Sequence, residues 1–212
     1  MTARRGLYRI WPNFWFKCLG STAFMTLFFM GYIHLLKNPA GDVTTMPFTA
    51  VDAWVPLQPW SVAIYVSLWV YVSLPPALML TREDVVAFGW RIGMLCLIGL
   101  AVFYIWPTAV PPTHIDWAAY PGMAVLKGVD AAGNACPSLH VATAVFAGMW
   151  LHWMSPYIGG GTVWKVVNAV WCVAIAYSTL ATRQHVVIDV CSGAVLGAAI
   201  AWLTRPKVLL RG

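Results

Sequence analysis

Hydrophobic residues along this chain are gathered into long, nearly uninterrupted stretches and do not alternate with polar ones. Six stretches are close to 20 residues long, at 18–36, 60–80, 88–106, 137–154, 162–181 and 186–203. An α-helix needs about 20 apolar residues to cross a hydrocarbon core of roughly 30 Å. The pattern therefore predicts six transmembrane helices, with Pro75 and Pro76 expected to kink the end of the second.

The polar connections between these stretches leave no room for a separate soluble domain. The longest connection, 107–136, carries Pro, Gly, Asp and Trp, which favours an ordered extracytoplasmic cap or lateral gate. Residues 1–17 mix arginine with tryptophan, as is typical of an interfacial segment. We expect an all-α, polytopic helix bundle that forms one membrane domain over 1–212, with its last three helices in 137–204.

The composition agrees with this architecture. Of the 212 residues, 60% are hydrophobic and 9% are charged, and the mean hydropathy is +0.72. A water-soluble globule of this composition would have too few polar residues to cover its surface. We therefore expect lipid to be the solvent for most of the chain.

The net charge of +6 is explained by membrane topology. When the six helices are placed in order, ten of the thirteen Lys and Arg residues fall on the amino-terminal side, and only Lys37, Lys127 and Arg183 fall on the other. By the positive-inside rule, both termini are expected to be cytoplasmic. The basic excess is then a topological signal that also favours anionic lipids, and we expect no nucleic-acid partner.

The five cysteines carry a weaker signal. Cys136 and Cys191 fall near the outer face, which is oxidising if the protein lies in a bacterial inner membrane, so a disulfide and two free thiols are both open, with free thiols preferred. No Cys-x-x-Cys pair or histidine-rich tract indicates a metal, and we expect neither a metal nor a cofactor.

Three ionisable residues at the mouth of the last helix form the first candidate for chemistry. An ionisable side chain in a membrane is costly unless it is paired or faces water. His185 and Asp189 are four residues apart, so on a helix they would share a face, and the carboxylate would orient the imidazole as a nucleophile or base. Arg183 offers a planar set of donors that suits phosphate oxygens.

The second candidate opens the fourth helix, at Pro137, Ser138, Leu139 and His140. Proline suits the first turn of a helix, and the free N–H groups of the next three residues would then point at the helix mouth and bind an anion. The hydroxyl of Ser138 adds a donor. His140 would stand beside the anion, where it could protonate a leaving alkoxide.

These two motifs together resemble the type 2 phosphatidic acid phosphatase superfamily. Pro-Ser-Leu-His at 137–140 and Thr-Arg-Gln-His-Val-Val-Ile-Asp at 182–189 are similar to its second and third signatures. The resemblance implies that His185 attacks phosphorus to give a phosphohistidine, that Asp189 orients it, and that His140 is the general acid. It also implies that Arg183 and Ser138 hold the phosphoryl oxygens and that no metal is needed.

The superfamily's first signature, Lys followed after six residues by Arg-Pro, is absent. Lys127 is the remaining basic residue of the outer loop that could replace its phosphate contact. The tight Arg-x-His spacing, Leu139 between Ser138 and His140, and Trp-Pro-Thr-Ala-Val-Pro-Pro at 106–112 resemble the branch that contains inositol phosphorylceramide synthase and sphingomyelin synthase. Those enzymes are phosphotransferases.

Three functions therefore remain open. The first is a phosphatase that acts on a lipid phosphate or diphosphate at the extracytoplasmic, periplasmic leaflet of a bacterial inner membrane. The second is a phosphotransferase of the same mechanism that passes a phospho-headgroup to a lipid alcohol. The third is a non-catalytic channel or transporter whose His and Asp relay protons.

Several other residues have structural interpretations. Gly193 and Gly197, four apart on the last helix, allow another helix to approach closely. A helix of the same bundle and a dimer seam are both open, with the internal helix preferred. The other histidines and the outer-loop aspartates are interpreted as satisfied polar groups, solvated residues or helix caps. They are His34, His114, His152, Asp42, Asp52 and Asp130.

Overall fold

The computed structural model describes residues 10–113, 115, 119–120, 123 and 133–205. The protein is mostly helical. The long helices are α1 (Phe14–Lys37), α4 (Leu68–Leu78), α5 (Arg82–Ile105), α6 (Leu139–Met154), α7 (Thr162–Ala181) and α8 (Val187–Leu203). The shorter elements are α2 (Ala50–Trp54), a 3-10 turn (Pro59–Ser61), α3 (Val62–Val66) and the strands β1 (Thr44–Thr45) and β2 (Thr108–Ala109).

Within the described residues, four segments are long and apolar enough to cross a membrane, namely Phe14–Lys37, Pro59–Leu78, Arg82–Ile105 and Thr162–Ala181. The shorter helix α8 is apolar over 17 residues. These helices fit an integral membrane protein. The count of six spans and the orientation of the termini stay predictions.

Helix α6 is the centre of the bundle. Ten of its sixteen residues are buried, whereas α1, at the periphery, buries only Lys17. A helix that is apolar all round is stable where other helices surround it. The residues that precede α6 are thereby held inside the bundle.

Helices α6 and α8 pack at backbone distance because α8 carries glycines where the two meet. A Cβ on Gly193 would overlap the carbonyl oxygen of Ser138, and a Cβ on Gly197 would overlap that of Ala142. The expected internal partner of these glycines is confirmed to be α6. The close approach places the start of α8 against the start of α6.

We expect Gly197→Ala to destabilise the protein by about 1–3 kcal/mol, because the added methyl group meets a carbonyl that cannot turn away. Gly89→Ala on α5 is the matched control, since nothing lies within 4 Å of the added Cβ. The control should be neutral or stabilising by up to about 1 kcal/mol, as expected for Gly to Ala inside a helix. Thermal unfolding in detergent measures both; equal melting temperatures for the two variants would contradict the close packing.

A small parallel sheet lies at the end of the bundle where α6 begins. Thr44 pairs with Thr108, and Thr45 pairs with Ala109. The chain then returns beside β2, where the N–H of Cys136 donates to the hydroxyl of Thr108 at 2.8 Å. The described part of the predicted cap is therefore an ordered anchor for the residues that enter α6.

Basic side chains gather at the opposite end of the bundle. Lys17 donates to the carbonyl of Ala77 at 2.8 Å, and Arg91 donates to that of Thr204 at 2.7 Å. The guanidinium of Arg205 lies over the ring of Trp153 at 4.9 Å. The end that carries these cations is the one that the positive-inside rule assigns to the cytoplasm.

Candidate active site

The chain reaches the candidate site through a tight turn at the end of α7. The N–H of Arg183 donates to Leu180 and that of Gln184 to Thr179, both at 3.0 Å, which is the hydrogen-bond pattern of a Schellman motif. Arg183 occupies the left-handed position of this motif, with φ 57°, where glycine is more usual. The turn directs His185 back toward the bundle.

His185 and Asp189 come together as predicted, but by a different route. Nδ1 of His185 lies 3.5 Å from Oδ2 of Asp189, an ion-pair distance that is long for a hydrogen bond. The prediction that both lie on one helix is wrong, because Val186 is extended and α8 begins at Val187. His185 therefore precedes the helix, and Asp189 faces it from the first turn.

Asp189 is completely buried, and the side chain of His185 is 10% exposed. Oδ2 of Asp189 accepts the N–H of Val186 at 3.0 Å, while Oδ1 has no hydrogen-bond partner among the described residues. A buried carboxylate with a free oxygen favours a proton donor beside it. A small shift of the His185 ring would convert the 3.5 Å contact into a hydrogen bond.

The start of α6 differs from the predicted anion site in two respects. Pro137 lies outside the helix, whose N-cap is Ser138. The N–H of Ser138 was predicted to be free, and this is wrong, because it donates to the carbonyl of Asp189 at 3.0 Å. The hydroxyl of Ser138 accepts the N–H of Val141 at 3.2 Å. The N–H groups of Leu139 and His140 have no acceptor within the helix. They are the donors at the start of α6 that can bind an anion.

His140 is held by an aromatic neighbour. Its ring stacks on that of Tyr65 with centroids 3.9 Å apart, and Trp69 approaches edge-on at 6.4 Å. Its Nε2 is buried without a hydrogen-bond partner among the described residues, so this nitrogen is left to act as a proton donor or acceptor.

His140 and His185 meet at one cavity. The two imidazoles are close enough to interact electrostatically, and both line a cavity of about 280 Å³. The rest of the wall is mainly aromatic and aliphatic and comes from α1, α3, α4, α5 and α6, including Phe28, Val72 and Ile92. The described wall contains no Lys, Arg, Asp or Glu.

Arg183 is directed away from this cavity. Its Nη1 donates to the carbonyl of Asp52 at 3.1 Å and its Nη2 to that of Val55 at 2.8 Å, and its guanidinium lies over the ring of Phe48. Arg183 is not among the described residues that line the cavity. Lys127, the other predicted phosphate contact, lies outside the described residues.

The structure adds two residues that sequence reasoning did not single out. Asp52, interpreted as a solvated or capping carboxylate, does cap α2, but it is also buried and accepts the N–H of Val187 at 2.7 Å. Gln184 is buried, and its Nε2 has no hydrogen-bond partner in the part of the chain that the structure describes. Gln184 lies inside the motif, but nothing in the sequence indicates its burial, and Asp52 is 135 residues from its partner.

Cys136 and Cys191 are both free thiols, as preferred from the sequence. Sγ of Cys136 contacts the hydroxyl of Ser192 at 3.2 Å, and burial raises the pKa of this thiol above its ordinary value. Among the described residues, no group of three or more His, Cys, Asp or Glu is arranged to hold a metal ion.

Comparison with known proteins gives one match. The family model described as the PAP2 superfamily matches residues 105–211, which include α6, α7, α8 and both motifs. No curated protein and no solved structure matches the chain.

Proposed function

The chain belongs to the PAP2 superfamily, whose members are phosphatases or phosphotransferases, and we propose that it is a lipid phosphate phosphatase that acts through a phosphohistidine. The observation that carries the proposal is the meeting of His140 and of His185, paired with Asp189, at one end of an apolar cavity between the helices.

His185 is the proposed nucleophile. Asp189 faces Nδ1 and stabilises the cation that forms on the ring, which leaves Nε2 with a lone pair for phosphorus. Nε2 attacks, the bond between phosphorus and the lipid oxygen breaks, and the phosphoryl group moves to the histidine. The buried position of Asp189 strengthens this electrostatic support, because little water screens it.

His140 is the proposed acid and then the base. Its unpartnered Nε2 gives a proton to the departing lipid oxygen, so that a neutral alcohol leaves. A water molecule next gives a proton to His140 and attacks the phosphohistidine. The nitrogen–phosphorus bond breaks, and inorganic phosphate and free His185 are released.

The start of α6 is the proposed seat of the phosphate. The N–H groups of Leu139 and His140 and the positive end of the helix dipole supply donors there. The hydroxyl of Ser138 accepts from the backbone, so its own proton stays available to a phosphate oxygen. Phosphate contacts by Arg183 would require its guanidinium to leave the carbonyls of Asp52 and Val55.

A lipid is the proposed substrate because the cavity wall is apolar and the helices around it are long enough to cross a membrane. The site lies at the end opposite to Lys17, Arg91 and Arg205, so the positive-inside rule would place it at the extracytoplasmic leaflet. In a bacterium this would be the periplasmic face of the inner membrane.

Transfer to a lipid alcohol is the second candidate. The apolar wall and the absent Lys-x6-Arg-Pro signature favour it, because a site poor in polar groups admits a lipid hydroxyl as readily as water. In that reaction the acceptor hydroxyl replaces water in the second step, and His140 takes its proton.

Incubation of the purified protein with a 32P-labelled lipid phosphate, with and without diacylglycerol, ceramide or polyprenol, tests both candidates. Free phosphate formed without acceptor supports the phosphatase, and labelled product lipid formed only with acceptor supports the transferase. A channel or transporter would give neither product and no phosphoenzyme.

We expect Val72→Phe to raise the KM for a long-chain lipid phosphate by about 3- to 10-fold, since the larger side chain occupies part of the cavity. The KM for a soluble phosphate ester should change little. Val70→Phe is the matched control, because Val70 lies on the same helix but is 67% exposed. Equal effects of both variants on the lipid substrate would contradict chain binding in the cavity.

A further inference from the structure

Asp52, which lies outside both motifs, has a carboxylate that accepts three hydrogen bonds close to the candidate site. Asp52 lies in the short helix α2 and is 2% exposed. Its Oδ2 accepts the N–H and the hydroxyl of Thr49 at 2.8 and 2.6 Å, which closes the capping box of α2. Its Oδ1 accepts the N–H of Val187, the first residue of α8, at 2.7 Å.

The segment that contains α2 also bonds Arg183, which lies on the other side of His185 from Val187. The carbonyl of Asp52 accepts Nη1 of Arg183, and the carbonyl of Val55 accepts Nη2. The chain is therefore attached to α2 at Arg183 and again at Val187, and His185 is midway between these two attachments. Because the backbone is held on both sides of His185, the imidazole has less freedom to move away from its target.

Capping alone does not explain this burial. The Thr81 cap of α5 has the same spacing, with the N–H of Asp84 bonded to the hydroxyl of Thr81, yet the carboxylate of Asp84 is bonded to no other helix in the described structure. Burying a carboxylate costs several kcal/mol unless its oxygens are well bonded. In Asp52 the bond to Val187 compensates part of that cost, and the negative charge also stabilises the start of α8.

We propose that Asp52 is a positioning residue that sets His185 for attack, through its hydrogen bond to the N–H of Val187. The proposal rests on the proposed role of His185 as nucleophile. In this role Asp52 touches no reacting atom, and its effect is transmitted through the backbone of residues 183–187.

The first test is Asp52→Asn against Asp84→Asn, which makes the same change in the other Thr cap. Asn has one acceptor oxygen, so it cannot serve both Thr49 and Val187. We expect kcat to fall about 10- to 100-fold with KM changed less than about 3-fold, because a misplaced nucleophile slows chemistry and leaves lipid binding intact. Asp84→Asn should change neither constant.

The second test removes the donor instead of the acceptor. Val187→Pro deletes the N–H that Asp52 accepts, at the first helical position where proline is tolerated, and Val186 is already extended. If both variants act through one hydrogen bond, the double variant should lower kcat no more than the stronger single variant. Additive losses, or a Thr49→Val variant that lowers kcat as much as Asp52→Asn, would overturn the proposal in favour of simple capping.

A readout that needs no turnover separates this proposal from the proposed function. His185 is 10% exposed, and its modification by diethyl pyrocarbonate can be followed by peptide mass spectrometry. We expect the modification rate to rise at least 3-fold in Asp52→Asn and Val187→Pro and to stay constant in Asp84→Asn. Unchanged rates would overturn the positioning role. An inactive wild-type protein with the expected rates would instead overturn the phosphatase and keep the positioning of His185.

Discussion

Replacement of His185 by Asn should abolish turnover of lipid phosphate, with a loss of roughly 10³-fold or more. Asn keeps a polar side chain of similar reach but has no nitrogen lone pair that can attack phosphorus. The other residues of the site cannot replace the group that forms the covalent bond. Its removal therefore lowers the turnover rate far more than removal of a binding contact. The measurement is release of 32P-phosphate, together with quenching in alkaline denaturant to trap the labelled phosphoenzyme.

The matched control for this change is His152→Asn. His152 lies on α6 near its far end, is exposed and is not among the described residues that line the cavity, so it shares only its residue type with His185. Wild type and control should both trap an acid-labile, base-stable label, and His185→Asn should trap none. A phosphoenzyme that persists in His185→Asn would show that another residue is the nucleophile.

Replacement of His140 by Asn should lower the turnover of an alkyl lipid phosphate by about 10²- to 10⁴-fold, the usual range for loss of a general acid. The loss should depend on the leaving group. A lipid alkoxide needs a proton as it departs, whereas p-nitrophenolate does not. We therefore expect the single-turnover burst of p-nitrophenolate to fall by less than about 10-fold in the same variant.

Hydrolysis of the phosphoenzyme, the second half of the reaction, gives an independent test of the role of His140. Without the base, water is not activated, so labelled phosphoenzyme should accumulate in His140→Asn after the burst. His34→Asn, an exposed histidine on α1, should behave as wild type. If His140→Asn slowed the burst as much as the lipid reaction, His140 would be a structural partner of Tyr65 and not an acid.

Much of the architecture follows from local signals. The helix over 162–181 is confirmed at Thr162–Ala181, and the glycines at 193 and 197 meet a helix of the same bundle as expected. These features depend on length, apolar content and the absence of a side chain, which a sequence displays directly. The pairing of His185 with Asp189 was also expected from their four-residue spacing, although the structure forms it between the turn before α8 and the first turn of α8.

The helix ends were harder to predict. His185 was expected to share a helix face with Asp189 and instead precedes the helix, because Arg183 closes α7 in a left-handed conformation and Val186 is extended. A Schellman turn with arginine in place of glycine lacks the usual sequence sign. The prediction that the N–H of Ser138 is free was wrong for a related reason, because its acceptor, the carbonyl of Asp189, is supplied by a different helix.

The sequence by itself determined that this protein is a bundle of apolar helices with two motifs at one end, because periodicity, length and residue chemistry are local properties. Only the tertiary structure decided what holds the motifs in place. The stack of Tyr65 on His140, the bonds of Arg183 to the carbonyls of Asp52 and Val55, and the bond of Asp52 to Val187 join residues far apart in the chain. Such contacts depend on how the helices pack, and packing is decided by the whole set of side chains at once.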